Sequence, residues 1–215
     1  MGWRALSKPA GSTWHRPAYE VLTLPVPFLL WYFVFNDPFL GGFWPTITVS
    51  SLILLSLSLP RLSTMKIRIT SKGFLIGVGS ALLIYGFFWL GFHVVRGLPG
   101  FAQQVSWVYQ LRGATPISFI AAALLFPIGP TEELYWRGLI QGHFNRSLSP
   151  TKGLLLTSAL YTLIHVSTFN PSLLLVALIG GLFWGYLYNR LGDLFPVLVS
   201  HVLFDELIFV ILVIQ

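Results

Sequence analysis

The 215-residue sequence contains no cysteine and has few charged residues. The lack of cysteine excludes a disulfide framework, a thiolate metal site and a cysteine nucleophile. Charged residues make up 9% of the chain, against roughly 25% in an ordinary soluble domain, and 55% of the chain is apolar. This composition excludes a water-soluble globule and indicates a membrane protein.

Seven apolar segments are candidates for membrane spans. A bilayer core about 30 Å thick requires about 20 mostly apolar residues, and lipid-exposed backbone must be helical there. The fourth segment is overlong, and Pro127 and Pro130 are expected to split it into an apolar half and a polar half. The predicted segments are Val21–Phe35, Phe39–Leu59, Gly73–Val95, Pro116–Phe144, Gly153–Ser167, Leu173–Leu191 and Leu194–Ile214.

These segments predict an all-α, polytopic transmembrane bundle of seven or eight helices. We expect one membrane domain over residues 1–215, with N-terminal spans at 21–115 and a core at 116–214. Between the third and fourth segments, Phe101–Tyr109 has the pattern of an interfacial helix. Gly181 and Gly185 form a Gly-x-x-x-Gly pair that should let a neighbouring helix approach closely.

Positive charge is distributed unequally among the predicted loops. If the N-terminus, with Arg4, Lys8 and Arg16, is cytoplasmic, the inside loops carry ten Lys and Arg residues and the outside loops carry Arg96 and Arg112. The positive-inside rule therefore predicts a cytoplasmic N-terminus. No small-x-small cleavage site is evident after the first apolar run, so we expect a retained anchor and not a signal peptide. Topology explains the surplus of positive charge, and no stretch is basic and long enough to bind nucleic acid.

The seven acidic residues can be considered one by one, because an ionised group at the bilayer centre costs roughly 2.5–3.5 kcal/mol. Glu20, Asp37 and Asp193 are expected to be loop charges. Glu206 lies in the last segment, where an accessory polar contact is the favoured interpretation. The remaining acids lie in two clusters of polar residues within apolar segments.

The first cluster follows the predicted break in the fourth segment. Thr131 is expected to cap a new helix, whose dipole favours the two acids that follow. Glu133 and Arg137 are four residues apart and can form an ion pair, which explains an arginine among apolar residues. Glu132 then lies about 100° around the helix and is free to face another group. The alternative is that both acids are helix-start charges at the membrane surface.

Two further pairs bring histidines into apolar segments. Tyr161 and His165 are four residues apart, as are His201 and Asp205, so each pair shares one helix face. His165 alone could equally be hydrogen-bonded to a neighbouring carbonyl. If all the clusters faced lipid, the free-energy cost of membrane insertion would be on the order of 10 kcal/mol. The clusters should therefore face one another or water. Convergent carboxylates and imidazoles are the components of general acid–base catalysis on water.

The ordered clusters resemble those of a known family. They read Glu132-Glu133-x-x-x-Arg137, Tyr161-x-x-x-His165 and His201-x-x-x-Asp205. This combination resembles the CPBP family, the CAAX protease and bacteriocin-processing proteins, also called Abi or type II CAAX prenyl endopeptidases. The resemblance covers roughly residues 116–210. The family usually has Phe where Tyr161 stands and often has Asn where Asp205 stands.

The resemblance implies a glutamate-type intramembrane endopeptidase. Glu132 and His165 would activate a water molecule. His201 and Asp205 would stabilise the tetrahedral oxyanion; Asp205 can donate to it only when protonated, whereas an ionised Asp205 could orient His201. Structural support would come from three further residues, Glu133, Arg137 and Tyr161.

The resemblance leaves the cofactor open between two alternatives. We expect no metal, because the chain lacks a His-Glu-x-x-His zinc motif. In the metal-dependent alternative, Glu132, His165 and His201 would bind zinc. The sequence contains neither a Gly-x-Ser-x-Gly elbow nor a Gly-x-Gly-Asp motif, which argues against other intramembrane protease designs.

The expected partners are the lipid bilayer and a membrane-associated peptide or protein substrate, with or without a lipid modification, and no nucleic acid. The short loops and the lack of a soluble domain suggest a multi-pass protein of a prokaryotic cytoplasmic membrane. Two other functions compete with proteolysis. One is a non-catalytic membrane scaffold or immunity factor of the same fold, and the other is a proton-coupled transporter.

Overall fold

The computed structural model describes residues 19–214, which form eight main helices and no β-strand. The predicted all-α bundle is therefore confirmed for this part of the chain. The N-terminal segment with Arg4, Lys8 and Arg16 lies outside the described residues. The helices are α1 Tyr19–Asn36, α2 Phe43–Thr64, α3 Ser71–Val95, α4 Phe101–Gln110, α5 Ile117–Ser147, α6 Pro150–Leu163, α7 Pro171–Leu191 and α8 Phe195–Glu206.

Five of these helices, α1, α2, α3, α5 and α7, are long and apolar enough to cross a membrane. The fifth and seventh predicted spans correspond to α6 and α8, which contain 14 and 12 residues, and α8 continues into a π-helical turn at Leu207–Ile211. Large apolar side chains such as Leu75, Leu83 and Phe87 of α3 are exposed. Such a surface suits a lipid environment, because exposed apolar side chains meet no water there. The predicted interfacial segment is helical as α4, and none of its residues is buried.

The predicted break in the fourth segment is confirmed within α5. Phe126 has φ −162° and ψ 128°, which are extended values, and the helix resumes at Gly129. The predicted cap at Thr131 is wrong, because the resumed helix begins two residues earlier and the buried Thr131 hydroxyl has no hydrogen-bond partner in the described part of the chain. The physical reason is Pro130, whose fixed φ and missing N–H suit the first turn of a helix.

Close helix contacts place the second half of α5 against α8. A Cβ added at Gly129 would lie 2.8 Å from Val202 Cγ2, so only glycine permits this approach. On the other side of α8, a Cβ at Gly77 of α3 would lie 2.9 Å from the carbonyl oxygen of Pro196. As a result, α8 packs between α3 and the resumed part of α5.

The predicted role of the Gly-x-x-x-Gly pair is also confirmed. A Cβ at Gly181 would lie 3.3 Å from Ser158 Cα, and a Cβ at Gly185 would lie 2.5 Å from Leu154 Cδ1. Both Ser158 and Leu154 belong to α6. The two glycines therefore permit the close contact between α6 and α7.

Two of the acids predicted as loop charges are buried and paired. Glu20 lies in α1, not in a loop, and its Oε1 is 3.0 Å from Arg61 Nε. Asp193 does lie in the loop before α8, and its Oδ2 is 2.8 Å from Arg68 Nε. Burial raises the pKa of Asp193, but hydrogen bonds from Arg68 and from the Phe195 N–H outweigh burial and lower it below 3.8. The first ion pair joins α1 to the end of α2, and the second joins the loop before α8 to the loop between α2 and α3.

Candidate active site

A largely apolar cavity of about 180 Å³ lies beside the break in α5. Side chains of α1, α2 and α4 form much of its wall, including Trp31, Trp44 and Val108. The cavity is also lined by all four predicted catalytic residues and by Tyr161, namely Glu132, Tyr161, His165, His201 and Asp205. Sequence spacing paired Tyr161 with His165 and His201 with Asp205, and the fold brings both pairs and Glu132 to one cavity.

Glu132 is held at the cavity wall by one hydrogen bond. The Tyr161 hydroxyl donates to Glu132 Oε2 over 2.7 Å. Tyr161 is in turn fixed by Trp136, whose ring packs edge-on against it, and by Arg137, whose guanidinium carbon lies 5.0 Å from the Tyr161 ring centre. Among residues 19–214, Glu132 Oε1 has no hydrogen-bond partner, so this oxygen remains available to a molecule in the cavity.

Glu133 is shared by two partners behind the cavity. Arg137 Nη1 donates to Glu133 Oε1 over 2.9 Å, so the predicted i, i+4 ion pair is confirmed. The same oxygen lies 2.6 Å from Nδ1 of His201, a contact across 68 residues that sequence spacing could not reveal. Because a carboxylate only accepts, Nδ1–H donates and turns Nε2 towards the cavity. Glu133 therefore orients His201.

The remaining contacts of His201 involve Trp184 and Asp205. Trp184 stacks on the imidazole with the ring centres 3.8 Å apart and the planes inclined by 23°. His201 Nε2 lies 3.7 Å from Asp205 Oδ1, which is too long for a hydrogen bond. The orienting contact that the sequence allowed for an ionised Asp205 is thus made by Glu133. Nε2 and the Asp205 carboxyl both remain open to the cavity.

His165 has both ring nitrogens occupied. Nδ1 lies 2.9 Å from the Tyr161 carbonyl oxygen, which matches the carbonyl contact considered as an alternative from the sequence. Trp31 Nε1 donates to Nε2 over 3.2 Å. Among the described residues no hydrogen bond joins His165 to Glu132. Sequence analysis missed Trp31, because an indole in an apolar span carries no signal that distinguishes it from a lipid-facing side chain.

The predicted zinc alternative can be compared with this geometry. Over residues 19–214, no group of three or more His, Asp or Glu side chains is arranged to hold a metal ion. The Nδ1 proton of His165 bonds to a carbonyl, and its Nε2 lone pair accepts from Trp31, so the ring offers no lone pair to a metal. Glu132, His165 and His201 as arranged therefore do not fit a zinc site.

A comparison with protein families covers this region of the chain. Residues 112–207 match the family model described as "Type II CAAX prenyl endopeptidase Rce1-like". This segment is an Rce1-like domain. No curated protein and no solved structure matches the chain.

The Rce1-like domain runs from the residues before α5 to the first residue after α8 and contains Glu132, Tyr161, His165, His201 and Asp205. The match supports CAAX-type intramembrane protease activity and a peptide substrate. Together with the five apolar helices, it identifies the chain as an integral membrane protein. Helices α1 to α4, which form much of the cavity wall, precede the Rce1-like domain.

Proposed function

We propose that the protein is an intramembrane endopeptidase in which Glu132 activates the attacking water. The observation that carries this proposal is the state of the Glu132 carboxylate. Tyr161 holds Oε2, and no donor in residues 19–214 bonds to Oε1, which faces a largely apolar cavity that His201 and Asp205 also line. A base in a cavity poor in water can take a proton from a single bound water molecule.

The proposed reaction has two proton transfers. Glu132 Oε1 accepts a proton from water as the water oxygen bonds to the peptide carbonyl carbon and the carbonyl oxygen becomes an oxyanion. Glu132 then returns the proton to the peptide nitrogen as the C–N bond breaks, which yields a carboxyl and an amine terminus. His201 Nε2 can donate to the oxyanion when the imidazole carries both protons, and a protonated Asp205 can supply a second donor.

His165 takes a supporting role in this mechanism. It lines the same cavity, but its Nε2 would have to exchange the Trp31 N–H for a water molecule before it could accept a proton. Because a ring nitrogen has one lone pair, the described arrangement favours Glu132 as the base. We propose that His165 orients the water or the peptide once that exchange occurs.

The proposed reaction requires no metal. The hydrogen bonds of His165 support this proposal, since they engage a nitrogen that a zinc site would need. The test is the activity of purified protein after stringent chelation with metal analysis. Full activity is expected, whereas loss restored only by zinc would reverse the proposal.

The proposed substrate is a membrane-associated peptide or protein with an apolar segment, with or without a lipid modification. The aromatic and aliphatic cavity wall supports this class, because burial of such a segment is favourable there. We further propose a prokaryotic cytoplasmic membrane and a cytoplasmic N-terminus. The excess of positive charge in the predicted inside loops supports this orientation.

The experiment compares cells that produce the wild-type protein, Glu132→Gln or Glu206→Gln, and quantifies new peptide termini among their membrane proteins. Glu206→Gln is the matched control, because Glu206 is a partly buried acid of α8 that does not line the cavity. Termini produced by the wild type and Glu206→Gln should decrease by at least about 100-fold in Glu132→Gln. Equal amounts of new termini in cells with each of the three proteins, at equal expression and membrane insertion, would refute the assignment. A cellular function that persists in Glu132→Gln would favour a scaffold.

A further inference from the structure

Helix α1 contributes a side chain to the site from outside the Rce1-like domain. Trp31 lies on α1, 81 residues before the first residue of that domain, and is 1% exposed. Its indole Nε1 donates to Nε2 of His165 over 3.2 Å, and both side chains line the cavity. The bond therefore joins a catalytic-domain histidine to a helix that the family match does not include.

The two hydrogen bonds of His165 select one tautomer. The Tyr161 carbonyl can only accept, so Nδ1 carries the proton. The Trp31 indole N–H can only donate, so Nε2 carries the lone pair. Without the indole, a change to the Nε2–H tautomer would cost only the hydrogen bond to Tyr161. The imidazole could then also rotate about its bond to Cβ. Trp31 thus supplies half of the constraint on the imidazole.

Neighbouring aromatic rings and a nearby side-chain hydrogen bond also restrict the position of the His165 ring. Phe35 and Tyr161 pack on the imidazole, with ring centres 5.8 Å and 5.3 Å from its centre. The Asn36 side-chain amide donates to Ser167 Oγ over 3.0 Å, which ties the end of α1 to the turn that follows His165. Packing limits the tilt of the ring, but apolar contacts do not distinguish one nitrogen from the other. Of the groups in residues 19–214, the indole N–H and the carbonyl make that distinction.

We propose that Trp31 is a positioning residue that holds His165 as the neutral Nδ1–H tautomer with a fixed ring orientation at the cavity. The role of Trp31 in catalysis rests on the proposed endopeptidase function, whereas the hydrogen bond and the His165 tautomer that it selects do not. A residue outside the Rce1-like domain thereby places the lone pair of His165 on Nε2, where water or substrate can reach it once the Trp31 bond opens.

The chain contains a matched control for this proposal. Trp44 of α2 is also buried and lines the same cavity, but its indole N–H has no hydrogen-bond partner among the described residues. Trp31→Phe and Trp44→Phe remove the same atoms from the same cavity, and only Trp31→Phe removes a bond to His165. Asn36→Ala is a second control, because it loosens the α1 contact and leaves the indole in place.

The first measurement is nitrogen NMR of the full-length protein in lipid nanodiscs with labelled Trp and His. The chain has five histidines, and His165→Gln assigns the His165 signals. In the wild type we expect one protonated and one unprotonated ring nitrogen for His165, with a through-hydrogen-bond coupling between Nε2 and Trp31 Nε1. Resolved signals without that coupling would overturn the proposal, and this result does not depend on any variant of Trp31.

The second measurement compares the variants by the same NMR signals and by the yield of new membrane-protein termini in cells. Trp31→Phe should mix the two His165 tautomers and lower the yield about 10-fold, the factor that corresponds to one buried hydrogen bond. Trp44→Phe and Asn36→Ala should leave the tautomer unchanged. An unchanged tautomer in Trp31→Phe, or an equal change in Trp44→Phe, would overturn the proposal. If the wild type produces no termini but the tautomer still depends on Trp31, the positioning role is supported and the endopeptidase function fails.

Discussion

Removal of the Arg137 charge should test how the buried core of the site is held together. Glu133 is 0% exposed and Arg137 is 1% exposed, and their side chains are 2.9 Å apart. Arg137→Met keeps an apolar chain of similar length but leaves the Glu133 charge uncompensated. Loss of one partner of a buried pair costs about 3–5 kcal/mol. For a chain of this size that free energy corresponds to a fall of roughly 6–20 °C in Tm.

The assay is thermal unfolding of purified protein in detergent, followed by tryptophan fluorescence. The double variant Glu133→Gln/Arg137→Met is the decisive comparison, because it removes both charges while the glutamine oxygen can still accept from His201 Nδ1. Most of the lost Tm should return in the double variant. An Arg137→Met protein as stable as the wild type would refute the buried pair. A double variant less stable than Arg137→Met would refute the explanation by uncompensated charge.

Two further predictions concern the bundle outside the cavity. The lowered pKa of Asp193 means that its bond to Arg68 stabilises the fold above the unfolded pKa near 3.8 and is lost as the pH falls through the folded value. The difference in the free energy of unfolding between wild type and Asp193→Asn should be less than about 1 kcal/mol, because Arg68 is exposed. This difference, followed by Tm, should vanish in acid, and a difference that grows in acid would contradict the sign. Gly185→Ala should lower the free energy of unfolding by about 1–3 kcal/mol, because the added Cβ would collide with Leu154 and Gln141. Gly86→Ala should not lower it, because a Cβ there has no neighbour within 4 Å. Equal effects of these two substitutions on Tm would refute the close packing of α6 and α7.

The helices were predictable from sequence because hydropathy and length determine where a span can form. The break in α5 was predictable for the same kind of local reason, since Pro127 interrupts the helical backbone. The wrong cap at Thr131 shows the limit of local rules, because Pro130 suited an earlier helix start and no pattern in the sequence ranked the two signals.

The candidate site was predictable only where its contacts run along one helix. The spacing of Glu133 and Arg137 predicted their ion pair, and the spacing of Tyr161 and His165 placed both on one face. The contacts of Glu133 with His201 and of Trp31 with His165 cross between helices. Sequence spacing does not say which helices are neighbours, so no pattern in one chain could have predicted these partners.

The two hydrogen bonds that Glu133 accepts affect how an inactive form of this protein can be made. Glu133 Oε1 serves the buried arginine and the cavity histidine at once. A variant of Glu133 would therefore disturb folding and chemistry together, and its loss of activity would identify neither. Within residues 19–214, the Glu132 side chain is hydrogen-bonded to Tyr161 alone, and it lines the cavity. For trapping an uncleaved substrate, the first glutamate of the pair is the position to change, and the second should be left intact.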